Sequence, residues 1–215
     1  MQEQKNKESI LLIGGGGHCK SCIDVIETEG KFSIAGIVDA NLAAGENILG
    51  YPVLGNDSIL PELRKKVSHV LITTGQIKSS DIRKKLAELL SKLEFNFPVI
   101  ISPKAHVSAH CKIDKGTIVM HQALINAHVE IGEFCIINSA ALVEHDCQIG
   151  THTHLSTGCR VNGNVVIGNG CFIGSGSIIN QGIKITSETI LGSGSLVLDN
   201  IDDKGTYFGQ PAKRK

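Results

Sequence analysis

From Val107 to Val197 every sixth residue is Ile, Val or Leu, sixteen in unbroken succession. The residue four places after each is small in nearly every case, as Cys111, Thr117, Ala123 and Cys135 illustrate. A helical stripe returns about every 3.6 residues and a strand alternates every two, so neither keeps one residue class in phase at a period of six. A hexapeptide parallel β-helix does. Its coil is a triangle of three short strands, with the aliphatic filling the prism interior and the small residue letting the chain turn, so residues eighteen apart stack above one another. The repeat predicts this domain over residues 103–215 and leaves residues 1–102 to a different one.

Charge narrows the partners. The 21 basic and 21 acidic residues cancel, with no block of like charge, which argues against nucleic acid or an anionic membrane. No apolar run approaches the roughly 20 residues of a membrane span. The polar stretch Met1 to Glu8 lacks a signal-peptide pattern, so a cytoplasmic location is expected. Of seven cysteines, Cys111, Cys135, Cys147, Cys159 and Cys171 fall at the small-residue phase and are expected in the core. Cys19 and Cys22 form a C-x-x-C with no second pair to complete a zinc site, and they are expected on a helix. No metal is expected.

Residues 1–102 alternate strand and helix signals. The apolar run Ile10 to Ile13 ends at Gly14-Gly15-Gly16-Gly17, and an apolar-periodic segment with Cys22, Ile23, Val25 and Ile26 follows: strand, glycine turn, helix. Further expected elements are a strand from Ile34 to Asp39, a short helix from Asp57 to Lys66, a strand from Val70 to Thr73, an amphipathic helix from Ser79 to Leu93, and a last strand from Phe97 to Ile101. The alternation predicts a parallel α/β sheet the size of one Rossmann-like half domain. Its glycines let backbone N–H groups at a helix N-terminus face a phosphate. A G-x-G-x-x-G begun at Gly14 would need glycine where Cys19 stands, so NAD is not expected. His18, in the first helical turn, and Asp39, at the carboxyl end of the second strand, are candidate ligand contacts. Each has a local alternative, as an exposed or capping imidazole and as a turn cap.

The fixed period lets the stacked columns be read directly. One runs Ala109, Ala127, His145, Gly163, Gln181, setting a single imidazole between small neighbours with room for a substrate. Beside it stand His110, His128 and Asp146. Another runs Ile118, Ile136, His154, Phe172, Ile190; its histidine is either a satisfied packing residue or a deliberate hydrogen-bonding group. Leu124, Leu142, Ile178 and Leu196 form a second apolar stripe, while Lys112, Glu130, Gln148 and Lys184 are polar. Apolar stripes out of phase with the interior must be covered. A closed cyclic oligomer, most simply a trimer, would cover them.

The turn Gly14 to His18, the segment Ile137-Asn138-Ser139-Ala140-Ala141-Leu142-Val143-Glu144-His145-Asp146, the following Ile149-Gly150-Thr151-His152-Thr153-His154 and the closing Gly209-Gln210-Pro211-Ala212-Lys213 resemble the bacterial sugar acetyltransferases of the NeuD/PglD group. The resemblance spans nearly the whole chain. It implies a nucleotide-sugar-binding domain followed by a left-handed β-helix, a homotrimer, and acetyl-CoA lying between neighbouring β-helices. It implies acetylation of an amino group on a nucleotide-linked deoxy sugar, in the making of bacterial surface glycans or glycoproteins. His145 would be the general base and Asp146 the acidic residue beside it. Asn138 would contact the sugar, His154 the thioester or pantetheine region, and Gly163 and Gly174 would leave backbone open to the cofactor. Gly14 to His18 would lie near the diphosphate and Asp39 near the base. One difficulty is geometric: neighbours along a strand point to opposite sides, so the chain must bend if Asp146 is to orient His145. The rival readings are a sugar O-acetyltransferase of the sialic acid type, a zinc lyase of the γ-carbonic anhydrase kind and a non-catalytic scaffold.

Overall fold

The computed structural model describes residues 7–215; the polar start at residues 1–6, part of the signal-peptide expectation, lies outside them. The chain divides into two compact units, residues up to Gly75 with residues 85–98, and residues 76–84 with residues 99–215.

The first unit is built on β1 (Glu8–Ile13), α1 (Gly17–Glu29), β2 (Phe32–Val38), β3 (Asn47–Ile48), β4 (Tyr51–Gly55), α2 (Leu60–Arg64) and β5 (His69–Ile72). Its five strands are ordered β3-β4-β2-β1-β5, with β1 parallel to both β2 and β5. Ile10 to Ile13 are buried without alternation, as expected of a central parallel strand covered on both faces. Helix α1 buries Cys19, Cys22, Ile23 and Ile26 along one stripe, so the C-x-x-C is core, and burial pushes the Cys19 thiol up. The β3–β4 hairpin is absent from the sequence expectations. Its two-residue turn, Leu49-Gly50, has both residues at positive φ, and leucine carries none of the usual signal for such a turn. The short helix is capped by Asn56, whose side chain accepts from the Ser58 N–H, rather than opened by Asp57.

Helix α3 (Asp81–Lys92) matches the expected amphipathic segment. The expected strand from Phe97 to Ile101 is corrected: only Ile100–Ile101 is extended, and it pairs with Ile118–Val119 of the repeat rather than with the sheet of the first unit.

The second unit is a left-handed parallel β-helix whose repeat strands are two residues long. They stack at intervals of eighteen, as Leu124 on Leu142 and Ile136 on His154, into sheets of five, six and eight strands. The six-residue aliphatics and the small residues four places on both point inward, where Ile125, Val143, Ala141, Cys135, Cys147 and Cys171 share one core. The corners between strands use left-handed backbone at Gln122, His128, Ala140, Asp146, His152 and Asn164 as well as at glycine. The β-helix cysteines Cys135, Cys147, Cys159 and Cys171 are buried free thiols, and burial pushes Cys135 and Cys159 up to about 12.

The single chain covers part of the first apolar stripe and leaves Phe172 and Ile190 half-buried. Ile118 and Ile136 are fully buried within the single chain and His154 nearly so. Residues 76–84 hydrogen-bond along this face, with Arg83 Nη2 donating to Phe134 O at 3.0 Å and Gln76 Nε2 to His152 O at 2.7 Å. The other stripe stays partly exposed, with Ile178 at 36%. No helix among the described residues is long and apolar enough to cross a membrane.

Candidate active site

The strand Leu142–Val143 ends one residue before Glu144, and the chain then turns. His145 and Asp146 lie in that corner, and Asp146 has a left-handed φ of 60°. The turn resolves the geometric difficulty: the two side chains are not strand neighbours, and His145 Nδ1 donates to Asp146 Oδ2 at 2.8 Å. That bond places the proton of the neutral ring on Nδ1 and leaves Nε2 without one. Directly above, Gly163 supplies the space for the ring. A Cβ there would lie 2.7 Å from both Cε1 and Nε2 of His145. Gly163 is itself buried within the single chain, and its missing side chain seats the imidazole. On its other side, Asp146 Oδ1 stands 3.6 Å from His128 Nδ1.

His145 opens onto a hollow of about 570 Å³ lined by Glu144, Asn162, Gly163, Asn180, Gln181 and Leu198. Glu144, Asn162 and Asn180 are not among the residues that the sequence singles out. A signal for them exists, because Asn126, Glu144, Asn162 and Asn180 form one polar column eighteen residues apart beside the His145 column. Asn126 Nδ2 donates to Glu144 Oε2 at 2.8 Å, which holds that carboxylate at the edge of the hollow.

His154 and Asn138 meet each other at a distance of 3.1 Å between Asn138 Nδ2 and the ring Nε2. His154 is 7% exposed, and its Nδ1 donates to the backbone carbonyl of Gln76 at 2.6 Å. Burial lowers its pKa to about 4, so the ring is neutral at physiological pH. His152 nearby, stacked on Phe134 with ring centres 5.0 Å apart, is likewise lowered to about 4 by burial and by the Arg83 charge. Both ring nitrogens of His154 are thus engaged by protein, and within this unit Asn138 is the group through which that pair can act on a ligand. Gly174 is buried within the single chain, and a Cβ there would fall 2.5 Å from Ser193 N of the next coil.

In the first unit, Gly14 has a left-handed φ of 107°, and a Cβ on it would strike Thr74. Gly16 is the N-cap of α1, no side chain caps that helix, and a Cβ on Gly16 or Gly17 would meet only open space. The bare N-terminus of this thirteen-residue helix, with no acidic residue in its first turn, suits a phosphate. His18 follows within the first turn, its Nε2 3.4 Å from Cys22 Sγ. Asp39 is committed locally: Oδ2 accepts the Gly15 N–H at 2.7 Å, and Oδ1 those of Asn41 and Leu42 at 2.8 and 3.2 Å. Partial burial works to raise its pKa, but these three donors outweigh it and hold the carboxyl below its ordinary value. Its local reading, a turn cap that also pins the glycine loop, accounts for every one of these bonds. Among the described residues no group of three or more His, Cys, Asp or Glu is placed to hold a metal ion.

Residues 9–90 match the PglD N-terminal domain family, and residues 164–199 match the bacterial transferase hexapeptide family of six repeats. The chain is similar to the structure of PerB from Caulobacter crescentus in complex with CoA and GDP-perosamine, at 36% identity and a TM-score of 0.90, covering 96% of this chain and 97% of that one. It is also similar to the acetyltransferase domain of PglB from Neisseria gonorrhoeae in complex with acetyl coenzyme A, at 30% identity and a TM-score of 0.89, covering 97% of this chain and all of that one. A UDP-N-acetylbacillosamine N-acetyltransferase of Bacillus subtilis is 32% identical over 113 residues, a match spanning 53% of this chain and 51% of that protein.

Proposed function

Because the chain belongs to the NeuD/PglD group of bacterial sugar acetyltransferases, we propose that it transfers the acetyl group of acetyl-CoA to an amino group on a nucleotide-linked deoxy sugar. The observation that carries this reading is the seating of His145. Its Nδ1–H is held by Asp146, its ring sits in the space left by Gly163, and the side chain borders a polar hollow. An imidazole so arranged is a general base with one available lone pair.

The sugar amine attacks the thioester carbonyl carbon while His145 Nε2 accepts a proton from the amine. The C–S bond then breaks as the carbonyl reforms, and the imidazolium returns its proton to the departing thiolate of CoA. The step is balanced without a metal or an external oxidant. Asp146 stabilises the imidazolium between the two proton transfers. Glu144, Asn162 and Asn180 supply hydrogen-bonding groups around the acceptor, and the Asn138–His154 pair supplies a second polar contact to the substrates. The bare N-terminus of α1 receives the diphosphate of the nucleotide sugar, with Asp39 holding the loop that presents it.

Assembly follows from the stripe that the chain leaves uncovered. Leu124, Leu142, Ile178 and Leu196 are the surface on which three copies close into a ring, with acetyl-CoA between neighbouring β-helices. The PglB acetyltransferase domain in complex with acetyl coenzyme A and PerB in complex with CoA and GDP-perosamine support the choice of cofactor and of substrate class. In the cell the product would enter a surface glycan or glycoprotein.

The test is a screen of nucleotide-linked amino sugars and their hydroxyl analogues with acetyl-CoA, read by release of the CoA thiol and by product mass. Turnover of an amino sugar with a mass gain of one acetyl group is expected. Acetylation of the hydroxyl analogue alone would assign the O-acetyltransferase reading, and failure to bind CoA would assign a scaffold.

A further inference from the structure

Gln76 belongs to no sequence motif, yet it is 3% exposed and makes three hydrogen bonds to the β-helix. Its Nε2 donates to His152 O at 2.7 Å and to Cys171 O at 3.2 Å. Its backbone carbonyl accepts the Nδ1–H of His154 at 2.6 Å. Its Oε1 is buried without a partner among the described residues, an arrangement that stability alone does not favour.

These contacts fix the protonation of His154. A carbonyl only accepts, so Nδ1 must carry the proton; an amide nitrogen only donates, so Nε2, facing Asn138 Nδ2, must be bare. The orientation of the Asn138 amide is set independently, because its Oδ1 accepts the Ser139 N–H at 2.8 Å. One neutral tautomer satisfies all of these bonds. A proton on Nε2 would set two donors face to face, and the burial that lowers the pKa of the ring acts in the same sense.

We infer that Gln76 is a positioning residue for acetyl transfer: by clamping residues 76–84 to two coils it holds its own carbonyl on His154, fixes that tautomer, and so orients the remaining amide N–H of Asn138 toward substrate. The inference rests on the acetyltransferase reading for its kinetic part only. The chain of contacts runs from the Gln76 amide through its carbonyl, the imidazole and the Asn138 amide, and each link has one donor and one acceptor.

The experiment uses the full-length protein with ¹⁵N-labelled histidine, as wild type, Gln76→Ala and Gln76→Glu. Gln76→Glu keeps the side-chain shape and loses both amide hydrogens, so it remains informative if Gln76→Ala fails to fold. The ring nitrogen shifts of His154, assigned with His154→Asn, report its tautomer, and calorimetry reports affinity for CoA. In wild type a single Nδ1–H tautomer is expected down to about pH 5. In the variants the spectrum should show mixed tautomers and earlier protonation, with kcat lowered about 10-fold or more. An unaltered tautomer, or an altered one with unaltered kcat and CoA affinity, would overturn the inference. If the wild type fails to transfer acetyl to any sugar, the functional reading fails; the tautomer and CoA measurements still decide the role of Gln76.

Discussion

Gly163→Ala tests the seating of His145 with a single methyl group. The φ of Gly163 lies outside the left-handed region, so alanine is tolerated by the backbone, and the atoms nearest the new methyl belong to the His145 ring. The new Cβ would lie 2.7 Å from Cε1 and Nε2, whereas carbon contacts relax at about 3.5 Å, so the ring must retreat by about 0.8 Å. Its side chain is 55% exposed and free to swing outward, which limits the cost to stability. Restricting the unfolded chain by replacing glycine offsets about 0.4–1 kcal/mol of that cost, and the melting temperature should move by no more than about 3 °C. Catalysis is far less tolerant. The retreat breaks the 2.8 Å bond to Asp146 and shifts the basic nitrogen, and a displacement of about 1 Å can cost on the order of 10²-fold in rate. The assay is thiol release from acetyl-CoA with a saturating amino sugar, repeated in a His145→Ala background, where the added methyl should have no further effect. Wild-type kcat in a folded Gly163→Ala protein would refute the reasoning. So would an equal loss in the His145→Ala background.

Other expectations follow from the same geometry. Asp146→Asn should lower kcat more than it raises either KM, since it removes the carboxylate that fixes the His145 tautomer; steady-state kinetics with both substrates varied will check this. Asp39→Ala frees three backbone donors and loosens the glycine loop, and should raise KM for the nucleotide sugar several-fold while leaving CoA affinity measured by calorimetry unchanged. Stability should fall with acid through His154: the folded ring stays neutral to about pH 4 while the unfolded ring takes a proton near 6.5, so the contribution is present above pH 6.5 and lost as pH falls to 4. At about 1.4 kcal/mol per unit the loss is at most about 3.5 kcal/mol, and urea midpoints against pH should be flatter in His154→Asn. Ile178→Glu should yield monomers by light scattering, because it places a charge on the exposed apolar stripe.

The β-helix is legible because its period is a covalent fact of the sequence, and stacking at eighteen residues follows from it without reference to contacts. The same arithmetic alone is enough to set His145 beneath Gly163, eighteen residues further on. What the period cannot supply is conformation at the corners. That Asp146 takes a left-handed φ and turns back onto His145 is invisible to a rule written for strands. The role of residues 76–84 is also hidden. They follow a strand of the first unit in sequence and pack with the second, and a long-range docking of this kind leaves no local pattern. Within the single chain Ile118 and Ile136 are buried, while Phe172 and Ile190 of the same stripe stay half-buried. In the first unit the apolar runs mark the strands, but a Leu-Gly turn conceals the hairpin, and Asp39 stands where a ligand contact is expected although its hydrogen bonds are local.

The most direct measurement is turnover of His145→Ala with acetyl-CoA and the best nucleotide amino sugar from the screen. A folded variant with the wild-type melting temperature and oligomeric state, and with kcat reduced by about 10²-fold or more, is the expected result. Near-normal turnover by such a variant would contradict the assignment of His145 as the base.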